Sequence, residues 1–248
     1  MRPYASSFLI FTDYCRAAVR LSALMELPVV YVWTHDSISV GEDGPTHQPI
    51  EHLASFRAMP GMIVIRPADA NEVVEAYRAA LQIRNRPVCL VLSRQALPTL
   101  DRAKYAPASG VAKGGYVLAD APDGTPEVLL IATGSEVSLC LAARDRLAAD
   151  GIKARVVSLP SWELFEEQPR EYRDSVLPPA VLARVAVEEA STFGWERHAG
   201  ASGSLVGIRS FGCSAPMQIV AEHHGFTSDH VVAAAREQVA RRRRPASA

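Results

Sequence analysis

The stretch Thr34 to Pro49, THDSISVGEDGPTHQP, brings His35, Asp43 and His47 into a segment too rich in glycine and proline to be a helix or a strand. Near neutral pH an imidazole donates to or accepts from hydroxyls, and a carboxylate accepts from them. Arg94, in LSRQ, adds a planar guanidinium whose paired donors suit phosphate. Together the four side chains suit a small polyhydroxylated, phosphorylated ligand. The plain alternatives are loop histidines satisfied by backbone and a surface ion pair at Arg94. His35 and His47 lack helical i,i+4 spacing and have no cysteine beside them, so no metal centre is expected there. A second group precedes them: Phe8, Phe11 and Tyr14 recur every third residue in SFLIFTDY. On a helix they form one aromatic face, either a core stripe or a platform for stacking a planar heterocycle.

Elements at the right places are needed to hold these groups. Continuous apolar runs at 29–33, 62–65, 88–92, 128–132, 154–159, 183–187 and 205–208 suit parallel strands buried on both faces. Helical patterns lie between them, at 12–26, after the capping pair Asp69 and Glu72, and from Ser135 to Gly151. The alternation predicts an α/β fold of two domains, with mainly parallel sheets flanked by helices. His35 then follows directly on a strand, and Arg94 on another, at the sheet edge where such folds bind ligands. The stretch Leu97 to Pro126, interrupted by prolines and glycines, reads as a connection between domains with a short strand in GGYVLAD. TGSE, at 133–136, opens a helix and suits either a plain cap or an anion. The first element reads as a helix with no strand before it, so the first domain is expected to be N-terminally truncated.

The chain has 248 residues, 48% of them apolar and 21% charged, with a formal net charge of -1, so no pull toward nucleic acid or an acidic membrane is expected. Arg241 to Arg244 are read as cations at the negative end of a helix dipole. Cys15, Cys89, Cys140 and Cys213 form no CxxC pair, which fits a reduced, cytoplasmic compartment. The opening MRPYASSFLIF is too short in apolar residues for a signal peptide, and no run approaches a membrane span.

YASSFLIFTDYCRAAVRLSALM, the segment from Tyr31 through Glu72 and LVLSRQALP resemble the pyrimidine-binding domain of transketolase. VLLIATGSEVSLCLAARDRLAADGIKARVVSLPSWELFEEQPREYRDSVLP and FGCSAPMQIVAEHHGFT resemble its C-terminal domain. The resemblance implies a partial pyrimidine-binding domain over 1–105 and a C-terminal domain over 106–248. It implies thiamine diphosphate and Mg²⁺ as cofactors, and transfer of a two-carbon ketol unit between sugar phosphates. Matched by position, Phe8, Phe11 and Tyr14 form the aminopyrimidine pocket, with Phe11 the main stacking residue. His35 contacts substrate, Asp43 recognises the donor C2 hydroxyl, His47 lies near the reacting centre and Arg94 binds phosphate. The Mg²⁺ ligands and the glutamate that activates the cofactor are expected before Met1, so no catalytic residue is assigned here. The implied partner is a complementary N-terminal transketolase polypeptide or further copies of the chain, which alone is expected to be inactive. Two other readings are the β subunit of a 2-oxoacid dehydrogenase and an inactive dimerisation or regulatory fragment.

Overall fold

The computed structural model describes residues 2–243; Arg244 of the basic tail lies outside them. The chain builds two sheets, and their strands fall within a few residues of the apolar runs. The first correction concerns the start. Tyr4–Phe8 forms a strand, β1, ahead of the helix α1 (Thr12–Leu24), with a 3₁₀ turn, Leu9–Phe11, between them. YASSF has no β-branched apolar run, and Tyr4, Ala5 and Ser6 are exposed; pairing with β2 (Val30–Thr34) makes it a strand. That pairing is parallel and in register from Tyr4 opposite Val30 to Phe8 opposite Thr34.

After β2 come α2 (His52–Arg57), β3 (Ile63–Ile65), α3 (Ala70–Gln82) and β4 (Val88–Val91). The first sheet has the order β1-β2-β4-β3 and is parallel throughout. β2, β3 and β4 are almost wholly buried, as continuous apolar runs require. Asp69 caps α3 by accepting from the Glu72 amide at 2.8 Å. The Glu72 carboxylate turns inward, accepting from the Ala68 amide, the Tyr116 hydroxyl and the Ser158 hydroxyl.

The connecting stretch is packed. It carries a 3₁₀ helix, Ala108–Lys113, and β5 (Tyr116–Ala119), and it buries Val111, Tyr116 and Leu118. Next come β6 (Val128–Ala132), α4 (Glu136–Ala149), β7 (Ala154–Ser158), α5 (Trp162–Glu166), α6 (Arg170–Val176) and β8 (Arg184–Ser191). α7 (Glu196–Ala199), β9 (Ser204–Ile208), α8 (Met217–His223) and α9 (Ser228–Arg243) are the last elements of the described residues. The second sheet has the order β5-β7-β6-β8-β9, and only β5 is antiparallel. One apolar core runs from Ile63, Ile65 and Leu90 in the first sheet to Leu130, Val156 and Val185 in the second. No described helix is long and apolar enough to cross a membrane.

The seam between the sheets is polar at its centre. Arg66, directly after β3, is fully buried. It donates from Nε to Asp36 at 2.8 Å, from Nη1 to Thr133 at 3.0 Å, and pairs with Glu136. Burial alone would lower its pKa, but Glu136 and Asp36 outweigh that and hold it well above the ordinary value. The TGSE turn is therefore the seat of an arginine, and the Ser135 side chain makes no cap bond. Gly134 sits at φ +55°, where a Cβ would lie 2.5 Å from the Arg66 guanidinium carbon, so only glycine fits.

Candidate active site

Three neighbouring strands end together. Phe8 closes β1, Thr34 closes β2 with His35 next, and β4 ends at Val91 just before Arg94. The parallel order puts all three carboxyl ends on one edge of the sheet, the expected ligand edge. His35 has φ +58°, a left-handed conformation that costs of order 1–3 kcal/mol in a residue with a Cβ. Held that way, its ring stacks on Phe8 with centroids 3.6 Å apart, and its Nδ1 lies 3.0 Å from Thr34 Oγ1. Burial lowers the His35 pKa and the Arg94 charge lowers it further, while Asp43 and Asp36 pull the other way. The result is a neutral imidazole beside a guanidinium and a carboxylate.

The aromatic triplet does meet, though not as one helix face. Phe8 is on a strand, Phe11 on the 3₁₀ turn and Tyr14 on α1. Phe8 and Phe11 stack with centroids 6.0 Å apart, and Tyr14 follows Phe11 at 6.3 Å. The core-stripe reading fails, because Phe8 and Phe11 are only half-buried and Tyr14 is 90% exposed. His47 closes the group, its ring edge-on to Phe11 at 5.4 Å. Beside these rings lies a cleft of about 320 Å³ lined by Phe11, Tyr14, Gln48, His52 and Phe211. An aromatic wall open to solvent fits a flat heterocycle, which would cover apolar surface otherwise left wet.

Asp43 and Arg94 are exposed, and neither makes a side-chain ion pair among the described residues. Asp43 ends the 3₁₀ segment Ile38–Asp43, whose kink at Gly41 (φ +80°) lets the chain double back. Gln48, buried within the same loop, ties it down by donating from Nε2 to the Gly41 and Cys213 carbonyls, each at 2.9 Å. Ser214 donates to the Glu42 carbonyl at 2.6 Å. Segment 213–217 of the second half thus braces the loop from outside.

Other supporting residues were not visible in the sequence. Asp36 ties the residue next to His35 to Arg66, and Ser39 Oγ donates to Glu189 at 2.7 Å. Glu188 accepts from both Arg57 nitrogens, from Thr133 and from the Trp195 indole. The Glu188–Glu189 pair, without evident partners in the sequence, is a central fastening of the seam. The signal for Arg66 was present: it follows β3 just as Arg94 follows β4, and the same strand-edge reasoning applies to both. Asp13, Glu51 and His52 form the one group of three metal-capable side chains among the described residues, with His52 Nε2 3.3 Å from Asp13.

The description "transketolase, pyrimidine binding domain" belongs to the family model that matches residues 1–99, and "transketolase-like TK C-terminal domain" to the one that matches 114–227. A transketolase of Geobacillus stearothermophilus is 55% identical over 94% of this chain, which corresponds to 35% of that protein. The solved transketolase of Leishmania mexicana superposes with a TM-score of 0.92 at 41% identity, covering 100% of this chain and 36% of that one. A solved chain described as a split-gene transketolase, an inactive beta4 tetramer, gives a TM-score of 0.78 at 28% identity, covering 96% of this chain and 76% of that one. The chain spans about a third of the length of the curated relatives it matches. Two matched domains in this order, over a backbone that superposes along its length, place the chain in the transketolase family.

Proposed function

We propose that this chain carries the sugar-recognition portion of a transketolase, and that it works together with a diphosphate-binding portion. The observation that carries the reading is the meeting of the rings of Phe8, Phe11, His35 and His47 at one strand edge with Asp43 and Arg94. In this reading residues 1–105 are a pyrimidine-binding unit and 106–248 a C-terminal unit. Thiamine diphosphate, when bound, supplies the carbon nucleophile for ketol transfer. Phe11, with Phe8 and Tyr14, stacks on its aminopyrimidine ring. Arg94 grips the substrate phosphate, and Asp43 accepts a hydrogen bond from the C2 hydroxyl of the aldose phosphate, since a ketose donor carries a carbonyl at C2 and has no hydroxyl there. The neutral His35 has Nδ1 engaged by Thr34, which leaves Nε2 to hold or release a proton at a sugar hydroxyl. His47 lies against Phe11 and so at the reacting end of the ligand. The resemblance puts the Mg²⁺ ligands in the diphosphate-binding portion; among the described residues the group Asp13, Glu51 and His52 includes an imidazole, whereas Mg²⁺ prefers oxygen ligands.

Mixing the chain with the separately expressed diphosphate-binding portion of a transketolase tests the reading. Ketol transfer from a ketose phosphate to an aldose phosphate is expected in the mixture, with thiamine diphosphate and Mg²⁺, and not with the chain alone. In the mixture Arg94→Ala should raise KM for the phosphorylated donor by about tenfold to a hundredfold, the effect of losing one charge-assisted contact. An unchanged KM would return Arg94 to the surface.

A further inference from the structure

A second polar cleft shares no residue with the candidate active site. It has a volume of about 800 Å³, and four arginines, Arg170, Arg173, Arg184 and Arg197, line it together with two carboxylates, Glu166 and Asp174, and with Phe165 and His198. The arginines come from separate places in the second half: α6 supplies Arg170 and Arg173, β8 begins with Arg184, and α7 holds Arg197. Their charges are not balanced. Arg170 pairs with Asp174 and Arg197 with Glu166, but Arg173 and Arg184 have no carboxylate partner among the described residues.

Arg184 is held as a fixed cation. It donates to the carbonyls of Val181 at 2.9 Å, His198 at 2.7 Å, Leu177 at 3.2 Å and Pro178 at 2.9 Å. Four carbonyl dipoles orient the fork without neutralising it. His198 is only 4% exposed, and its Nε2 has no hydrogen-bond partner. Burial, with the charges of Arg197, Arg57 and Arg184, holds this imidazole down at about 3, so it stays neutral in the cleft. Trp162 and Trp195 pack edge-on against it, at 5.0 and 6.0 Å. A half-buried surplus of guanidinium charge, beside an unpaired neutral ring and Phe165, is complementary to an anion carrying an apolar body. The cleft is within the range of small-molecule sites, about 300–1,000 Å³, and larger than a bare phosphate needs.

We propose that this cleft binds an organic phosphate, its phosphoryl group on Arg173, Arg184 and Arg197 and its body against Phe165 and His198. The inference is independent of the active-site reading and would survive its failure.

The probe is phenyl phosphate, titrated into the full 248-residue chain and followed by the indole ¹H–¹⁵N signals of its tryptophans. Trp162 and Trp195 should shift, while Trp33, buried in the first sheet, should not. Inorganic phosphate should bind more weakly, because it lacks the body. Arg173→Glu should weaken phenyl phosphate by at least about tenfold, with an unchanged circular dichroism spectrum. Arg173 is chosen because Arg184, tied to four carbonyls, also supports the fold. Arg94→Ala should leave this binding intact. Shifts confined to residues around Arg94, or binding indifferent to Arg173→Glu, would overturn the proposal, as would no shift at all at millimolar probe.

Discussion

Glu189→Gln is the sharpest probe of the seam, because the buried charges there do not cancel. Among the described residues, Asp36, Glu136, Glu188 and Glu189 share two buried cations, Arg57 and Arg66. Glu188 takes the stronger share: burial would raise its carboxyl, but Arg57 overrides this and holds it at about 2. Glu189 is left short. Burial, reinforced by Glu136, pushes it from an ordinary 4.5 to about 7, despite the Ser39 and Ser37 hydroxyls. A carboxyl raised in the folded state binds its proton more tightly there than in the unfolded chain. The stability it contributes is complete below the unfolded value and is lost as pH rises through the folded one. At 1.36 kcal/mol per unit, the loss between pH 4.5 and about 7 amounts to about 3 kcal/mol. A glutamine at this position keeps the shape and an oxygen for the Ser39 hydroxyl, yet has nothing to titrate. Urea unfolding of the full chain between about pH 5 and 8 should therefore show a falling wild-type stability and a flatter Gln variant. The two should agree near pH 5, and the variant should be the more stable at pH 8 by up to about 3 kcal/mol. Parallel curves across the window would refute the charge imbalance as its cause.

Removing Arg66 as Arg66→Met should cost about 3–5 kcal/mol in the same assay, because Asp36 and Glu136 stay buried without a counter-charge. Adding Glu136→Gln should recover part of that loss. Gly134→Ala should lower stability by roughly 2–4 kcal/mol, since a methyl meets Arg66 in a left-handed backbone; a neutral result would mean that Arg66 moves aside freely. In the reconstituted enzyme, Asp43→Ala should narrow the gap in kcat/KM between aldose phosphates epimeric at C2, because the wrong epimer leaves a polar group unpaired. An equal fall for both epimers would make Asp43 a support of the loop only.

The sequence made the strands of the two sheets legible because parallel strands buried on both faces leave uninterrupted apolar runs. β1 escaped because its edge position leaves YASSF exposed, and an exposed strand needs no such run. The same miss put Phe8 and Phe11 on a helix. Their three-residue spacing was real, but a strand end, a 3₁₀ turn and a helix produce the proximity. His35 and Arg94 stood out as candidates because they follow buried strands at one sheet edge, and Asp43 and His47 because they share the polar loop after β2. Their buried supports did not, since the partners of Arg66 lie 30 and 70 positions away and those of Glu189 150 away. No local pattern encodes such pairs. TGSE shows the reverse error: a helix start that looks open in the sequence is already filled by a side chain from the other sheet.

The seating of Arg66 also bears on how the protein comes apart. Its amide donates to the Pro160 carbonyl at 2.8 Å, its carbonyl accepts from the Gly134 amide at 3.1 Å, and its side chain joins Asp36 to Glu136. Opening the seam exposes β3 and uncovers like charges on both sides at once, so neither sheet gains by melting first. Local opening there should be nearly as costly as global unfolding, and amide hydrogens at Arg66 and Gly134 should exchange among the slowest in the molecule. The loop bearing His35 and Asp43 hangs from that slow-exchanging centre through Asp36 and Ser39. Its geometry is therefore set before any ligand arrives, and cutting the chain between its two sheets would release a loop with no fixed shape.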